Sequence, residues 1–161
     1  KCTYTPGTAL ADGSHTIKID ASDYDGNAAS QKSVTFKIDT VPPTLSVTSP
    51  VDGFVTNQAA CNVQGTTNDL TSSPVSVTVK LNNGNAEAAT VASNGSWSKV
   101  VTLVEGSNTI TIVATDSAGK STTVTRTVKL DTKAPAIKAV TMTPNPVDAG
   151  KTFVISVEVT D

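Results

Sequence analysis

The 161-residue sequence is poor in aromatic residues (4%) and in charged residues (16%), and its 12 basic side chains do not outnumber its 14 acidic ones. A net charge of −2 offers no basic footprint, which excludes a nucleic-acid partner and argues against docking on an anionic membrane surface. No apolar run approaches the roughly 20 residues of a membrane span, so membrane insertion is excluded as well. Only two cysteines occur, Cys2 and Cys61, and the internal repeat of the chain puts them in different units, against an internal bridge. Cys61 stands in the alternation Ala59, Cys61, Val63, where it reads as a small buried residue. The chain begins at Lys1 without a signal-peptide pattern, so it is expected to be a processed or partial stretch of a longer polypeptide.

What is abundant is Thr, Ser, Val, Ala and Asn, a composition suited to short strands and turns. A repeat organises it. ADGSHTIKIDASDYDG (11–26) lies over VEGSNTITIVATDSAG (104–119), pairing Gly13 with Gly106, Ile17 with Ile110, Ile19 with Ile112, Asp23 with Asp116 and Gly26 with Gly119. After a one-residue length difference, Phe36, Ile38, Asp39, Thr40 and Pro43 fall over Val128, Leu130, Asp131, Thr132 and Pro135, and upstream Tyr4 meets Trp97. The period of about ninety residues is the size of one immunoglobulin-like sandwich.

Inside each copy the period is two. Val75, Val77, Val79 and Leu81 alternate with Ser76, Thr78 and Lys80; Ile110 and Ile112 alternate with Thr109 and Thr111; Phe153, Ile155, Val157 and Val159 repeat the arrangement. Such alternation gives strands one core face and one wet face. Asp25-Gly26, Asn83-Gly84, Asn94-Gly95 and Ala118-Gly119 supply the positive φ that tight turns require. The predicted class is all-β, as tandem immunoglobulin-like antiparallel β-sandwiches. Residues 41–132 hold a complete set of about seven strands and are expected to fold alone. Residues 1–40 match only the latter part of such a unit, and residues 133–161 supply its opening strands, Ile137–Thr141 and Thr152–Thr160. Each partial unit is expected to show an apolar face and an open edge.

Leu103, Gly106, Asn108, Thr109, Ile110, Ile112, Ala114, Asp116, Ala118 and Gly119, closing on Asp131-Thr132, resemble a motif of the bacterial immunoglobulin-like repeats. Leu10, Gly13, His15, Thr16, Ile17, Ile19, Ala21, Asp23 and Gly26 carry it a second time. Residues 49–58 and 64–69 look like that family's first strands, and residues 140–159 look like the start of a different immunoglobulin-like subtype. These repeats occur in surface adhesins, secreted polysaccharide-degrading enzymes and phage tail proteins. The resemblance implies an extracellular, non-catalytic spacer or stalk that supports adhesion, its partners being neighbouring domains of the same polypeptide. The alternatives are a module binding a cell-wall or host glycan or a surface receptor, and an accessory domain of a secreted polysaccharide-degrading enzyme. Ala114 stands where antibody domains carry a cysteine, so no intersheet disulfide is expected.

No catalytic or cofactor residue emerges from the chain. Ser14 and His15, with Asp20 or Asp23 nearby, have the residue types of a hydrolase, but neighbours on a strand face opposite ways and a catalytic pair must converge. The second copy has Asn108 at the histidine position, so His15 is expected to be an exposed structural residue. Asp20, Asp23 and Asp25, with Asp39 and Asp131 at the linkers, raise calcium. An EF-hand-like frame ending at Asp25-Gly26 places Ala21 and Lys32 at ligand positions, so turn chemistry is the simpler reading and a domain junction the alternative place for calcium. Trp97 and Tyr4 are expected to pack in cores rather than stack on sugars. Asn94-Gly95-Ser96 satisfies a glycosylation sequon but reads first as a hairpin turn.

Overall fold

The computed structural model describes residues 3–161, which form thirteen strands and no helix. Cys2 lies outside the described residues; Cys61 is buried as a free thiol, and burial pushes its pKa up.

The centre is a two-sheet sandwich. The first two strands form a hairpin, β1 (Gly13–Ile19) and β2 (Lys32–Ile38). The sandwich comes next, as β3 (Thr44–Ser49), β4 (Phe54–Thr56), β5 (Ala60–Asn68), β6 (Ser76–Leu81), β7 (Ala86–Ala88), β8 (Thr90–Val91), β9 (Ser96–Thr102), β10 (Gly106–Thr115) and β11 (Ser121–Leu130). The last two strands, β12 (Ala136–Thr143) and β13 (Val154–Thr160), form another hairpin. One sheet of the sandwich has the order β3-β5-β9-β8 and the other β4-β11-β10-β6-β7. This is the two-sheet arrangement of an immunoglobulin sandwich, with the chain crossing between sheets after β3 so that β4 runs parallel to β11. Nine strands replace the seven expected, because the edge segments 86–91 pair with both sheets as the short β7 and β8.

The alternation read from the sequence is the alternation of burial. Cys61 and Val63 on β5 and Trp97 on β9 meet Val77 and Val79 on β6, Ile110, Ile112 and Ala114 on β10 and Val128 on β11. Burying Ile110 and Ile112 completely contributes about 1.5–3 kcal/mol each. The single tryptophan fits because its cross-strand partner is Gly65. A Cβ there would lie 2.8 Å from Trp97 Cζ2 and would collide with the Ser46 carbonyl oxygen.

The buried apolar side chains run from Pro43 to Leu130, within the sandwich and the linker that enters it. On the flanking hairpins the alternation persists without cover: Ile19, Val34, Ile155, Val157 and Val159 are all more than half exposed. Within the described residues β1 pairs only with β2 and β12 only with β13.

Candidate functional site at the first junction

Each copy of the repeat ends in a linker held by the same set of hydrogen bonds. After β2, the N–H and hydroxyl of Thr40 donate to the Asp12 carboxylate (3.0 and 2.9 Å), and the N–H of Val41 donates to Asp39 Oδ1 at 3.1 Å. After β11, the hydroxyl of Thr132 donates to Glu105 Oε2 (2.8 Å), its N–H points to the same carboxylate (3.3 Å), and the N–H of Lys133 donates to Asp131 Oδ1 (3.3 Å). An acidic residue just before the glycine that opens one strand thus fixes the threonine two residues past the end of the next. The first linker is held from its far side too, since the Thr122 hydroxyl donates to the Pro43 carbonyl at 2.6 Å.

Three loops bring carboxylates together at this junction. Asp39 closes β2, Asp69 follows β5 and Asp116 follows β10, and one oxygen from each lies within 4.8 Å of the others. The register explains the meeting: Thr44 pairs with Asn68, which sets Asp69 beside the incoming linker. Each carboxylate is anchored by its own loop. Asp69 Oδ1 accepts the N–H groups of Thr71 and Ser72, both at 2.8 Å, and Asp116 Oδ1 accepts those of Ala118 (2.8 Å) and Lys120 (2.9 Å). The second oxygens of Asp39 and Asp116 are buried and have no hydrogen-bond partner. Lys37, two residues before Asp39, donates instead to the Thr71 carbonyl at 3.3 Å.

The hydrolase-like residues do not converge. Ser14 sits opposite Lys37 and His15 opposite Phe36, on opposite faces of the hairpin. The histidine is not exposed as expected but half-buried, because its ring stacks on Phe36 with centroids 5.7 Å apart. Its Nε2 donates to the Ala11 carbonyl at 2.7 Å. Asn108, the matching residue, donates its amide to the equivalent carbonyl, that of Val104, also at 2.7 Å. Asp20 accepts from Gln31. Asp23 accepts the backbone N–H and side-chain amide of Asn27 at 2.7 and 2.8 Å, and these bonds hold its carboxyl below the usual range. Asp20 and Asp23 therefore bond within their own loop.

Trp97 is buried at 3% exposure, but Tyr4 is 79% exposed, contrary to the expectation that both pack in cores. The second sheet that covers Trp97 in the sandwich has no counterpart over Tyr4 among the described residues. Asn94 and Gly95 form the β8–β9 turn, Gly95 at φ 81°, with the Ser96 N–H and hydroxyl donating to Asn94 Oδ1. Asp69 is the junction residue that sequence reasoning missed. Its signal was its place at the end of the QGTTND stretch, one residue beyond a strand that pairs with the strand leaving the linker.

Sheet order, repeat and junction define a class: tandem immunoglobulin-like β-sandwich units. Residues 43–132 match the family described as glucodextranase, domain B, and the chain belongs to that family; residues 1–40 match the family described as bacterial Ig-like domain. Bacillopeptidase F of Bacillus subtilis (strain 168) is 31% identical over 135 residues, covering 84% of this chain and 9% of that protein. The PII-type proteinase of Lactococcus lactis subsp. cremoris is 31% identical over 140 residues, covering 81% of this chain and 7% of that protein. The chain thus spans less than a tenth of the length of these curated relatives. Among solved structures, the fibronectin(III)-like modules of Clostridium thermocellum CbhA align with a TM-score of 0.48 and 18% identity, over 76% of this chain and 64% of that one. A tetra-tandem repeat from the extending region of a large adhesion protein aligns with a TM-score of 0.48 and 24% identity, over 92% and 46%.

Proposed function

We propose that the chain is a non-catalytic spacer and presentation segment of a larger extracellular protein, holding other parts at a fixed reach. The observation that carries this reading is the repeated threonine clamp, Asp12 on Thr40 and Glu105 on Thr132. The clamp fixes how each linker leaves its unit, and at the first join Thr122 holds it from the far side as well, which restricts the angle between units, whereas a polar linker without such bonds would leave them free. The proteinase relatives favour an exported enzyme as the larger protein, with this segment accessory to it. Small-angle scattering of the intact chain tests the reading. An elongated particle with a narrow distribution of lengths is expected, and Thr40→Val with Thr132→Val should broaden that distribution. A parent chain no narrower than the double variant would overturn the spacer reading, and tight capture of a cell-wall glycan by the chain would replace it with a binding module.

A further inference from the structure

We propose that Asp39, Asp69 and Asp116 form a binding site for a divalent cation of calcium's size, shared between the first hairpin and the sandwich. Clustered carboxylates alone would not carry this, since exposed acidic groups gather without ions. The state of their oxygens does. Asp116 is 6% exposed, and its Oδ2, like that of Asp39, is buried with neither an N–H nor an ammonium group against it. Buried charged oxygens are ordinarily hydrogen-bonded, paired with an opposite charge or bound to a metal. The ion pairs among the described residues are Lys99 with Glu87 and Lys129 with Asp131, both away from the cluster. Lys37, the nearest cation along the chain, is committed to the Thr71 carbonyl.

The anchoring has the form a site requires. In each carboxylate one oxygen is fixed by backbone N–H groups of its own loop. The other oxygens of Asp39 and Asp116 are thereby left to a ligand, held in place without further ordering. An all-carboxylate set without imidazole or thiolate selects a hard cation. One oxygen of each carboxylate lies within 4.8 Å of the others, close enough for one ion to touch all three, and three protein carboxylates suit calcium, with its many flexibly placed oxygens, better than magnesium, which keeps most of its waters. Water completes the six to eight oxygens that calcium takes.

The second junction supplies a comparison. Ala136 pairs with Thr160 as Thr44 pairs with Asn68, so Asp131 and Asp161 hold the register positions of Asp39 and Asp69, and both line one pocket. There, however, Lys129 reaches Asp131 at 3.2 Å and neutralises it. The first junction is the one left in need of a cation.

The site does not depend on the spacer reading and is tested separately. The intact chain, stripped with a chelator, is titrated with calcium chloride by calorimetry and melted with and without the ion, with magnesium chloride alongside. One calcium per chain is expected, with a dissociation constant of about 1 mM or tighter, and a rise in melting temperature that magnesium reproduces only weakly. Asp39→Asn should weaken binding by about tenfold or more, and Asp131→Asn should leave it unchanged. In chelator, Asp39→Asn should leave the melting temperature equal or raise it, since a repelling charge is gone; in calcium the variant should melt below the parent. Asp39 lies in the linker, so this variant keeps the sandwich turns that Asp116→Asn would disturb. No heat and no shift up to about 10 mM calcium, an equal response to magnesium, or an Asp39→Asn loss that is the same in both conditions would each overturn the site.

Discussion

Trp97 shows how far one side chain depends on what its neighbours allow. Its ring fills the space over Gly65, where any side chain would strike the Ser46 backbone, yet its indole N–H is buried without an acceptor. Trp97→Ala should therefore destabilise the chain by about 3–5 kcal/mol, in the range of other buried aromatics. Trp97→Phe keeps much of the apolar area and removes the orphaned donor, so its loss should stay under about 2 kcal/mol. Urea denaturation with an unchanged slope reads both. Equal losses for the two variants would mean that the N–H is satisfied after all. Position also fails to fix chemistry in the other direction. His15 and Asn108 occupy matching sites and bond matching carbonyls, one as a ring stacked on Phe36 and one as a fully buried amide.

At the scale of elements, the loops after β1 and β10 are built alike. In both, an aspartate accepts backbone N–H groups across the turn, and a glycine at φ 87° or 83° closes it. Asp23 makes a pH prediction. Its hydrogen bonds to Asn27 exist for the ionised form, so the folded pKa lies below the ordinary 3.8. The loop's stabilisation is then present above 3.8 and is lost as the pH falls through the lower folded value. An NMR titration should place the Asp23 midpoint below 3.8, with exchange of the Asn27 amide quickening over the same window. A midpoint at or above 3.8 would mean that these bonds do not persist in solution. The strands themselves were legible from Val77, Val79, Ile110 and Ile112, because period-two patterning and the matching copies are local signals. The junction was only half legible. Asp39 and Asp116 stood out as a linker and a turn, but Asp69 joins them through the β3–β5 register, a pairing between distant segments that no local pattern encodes. Tyr4 departs from expectation for a related reason: matching position implies a matching core only where a facing sheet exists to supply it.

In the whole molecule, burial is concentrated in one place. The core runs from Cys61 to Leu130, while Ile137 and Val140 on β12 and Val154 on β13 are more than 60% exposed. Residues 41–132 should therefore unfold cooperatively as an isolated fragment, and limited proteolysis of the intact chain should leave a resistant piece close to those bounds. A gradual, non-cooperative melt of the fragment would show that its neighbours are needed to hold it.

The parallel pairing of β4 with β11 has a mechanical consequence. Phe54, Val55 and Thr56 lie beside Val128, Lys129 and Leu130, and the Asp131 N–H extends the contact to the Thr56 carbonyl at 2.9 Å. The chain enters the sandwich through β3, continues into β4 and leaves after β11, so once β3 is drawn off β5 a pull on the two linkers drags the parallel strands β4 and β11 in opposite directions. Bonds lying across such a pull share the load and must give way together, whereas an antiparallel hairpin pulled from its open end is peeled one bond at a time. Polymers of the 41–132 fragment should accordingly break in abrupt single steps under a pulling force rather than pay out along a low plateau. A segment that hangs between an anchor and its cargo would then meet tension along the direction in which its seam is hardest to open.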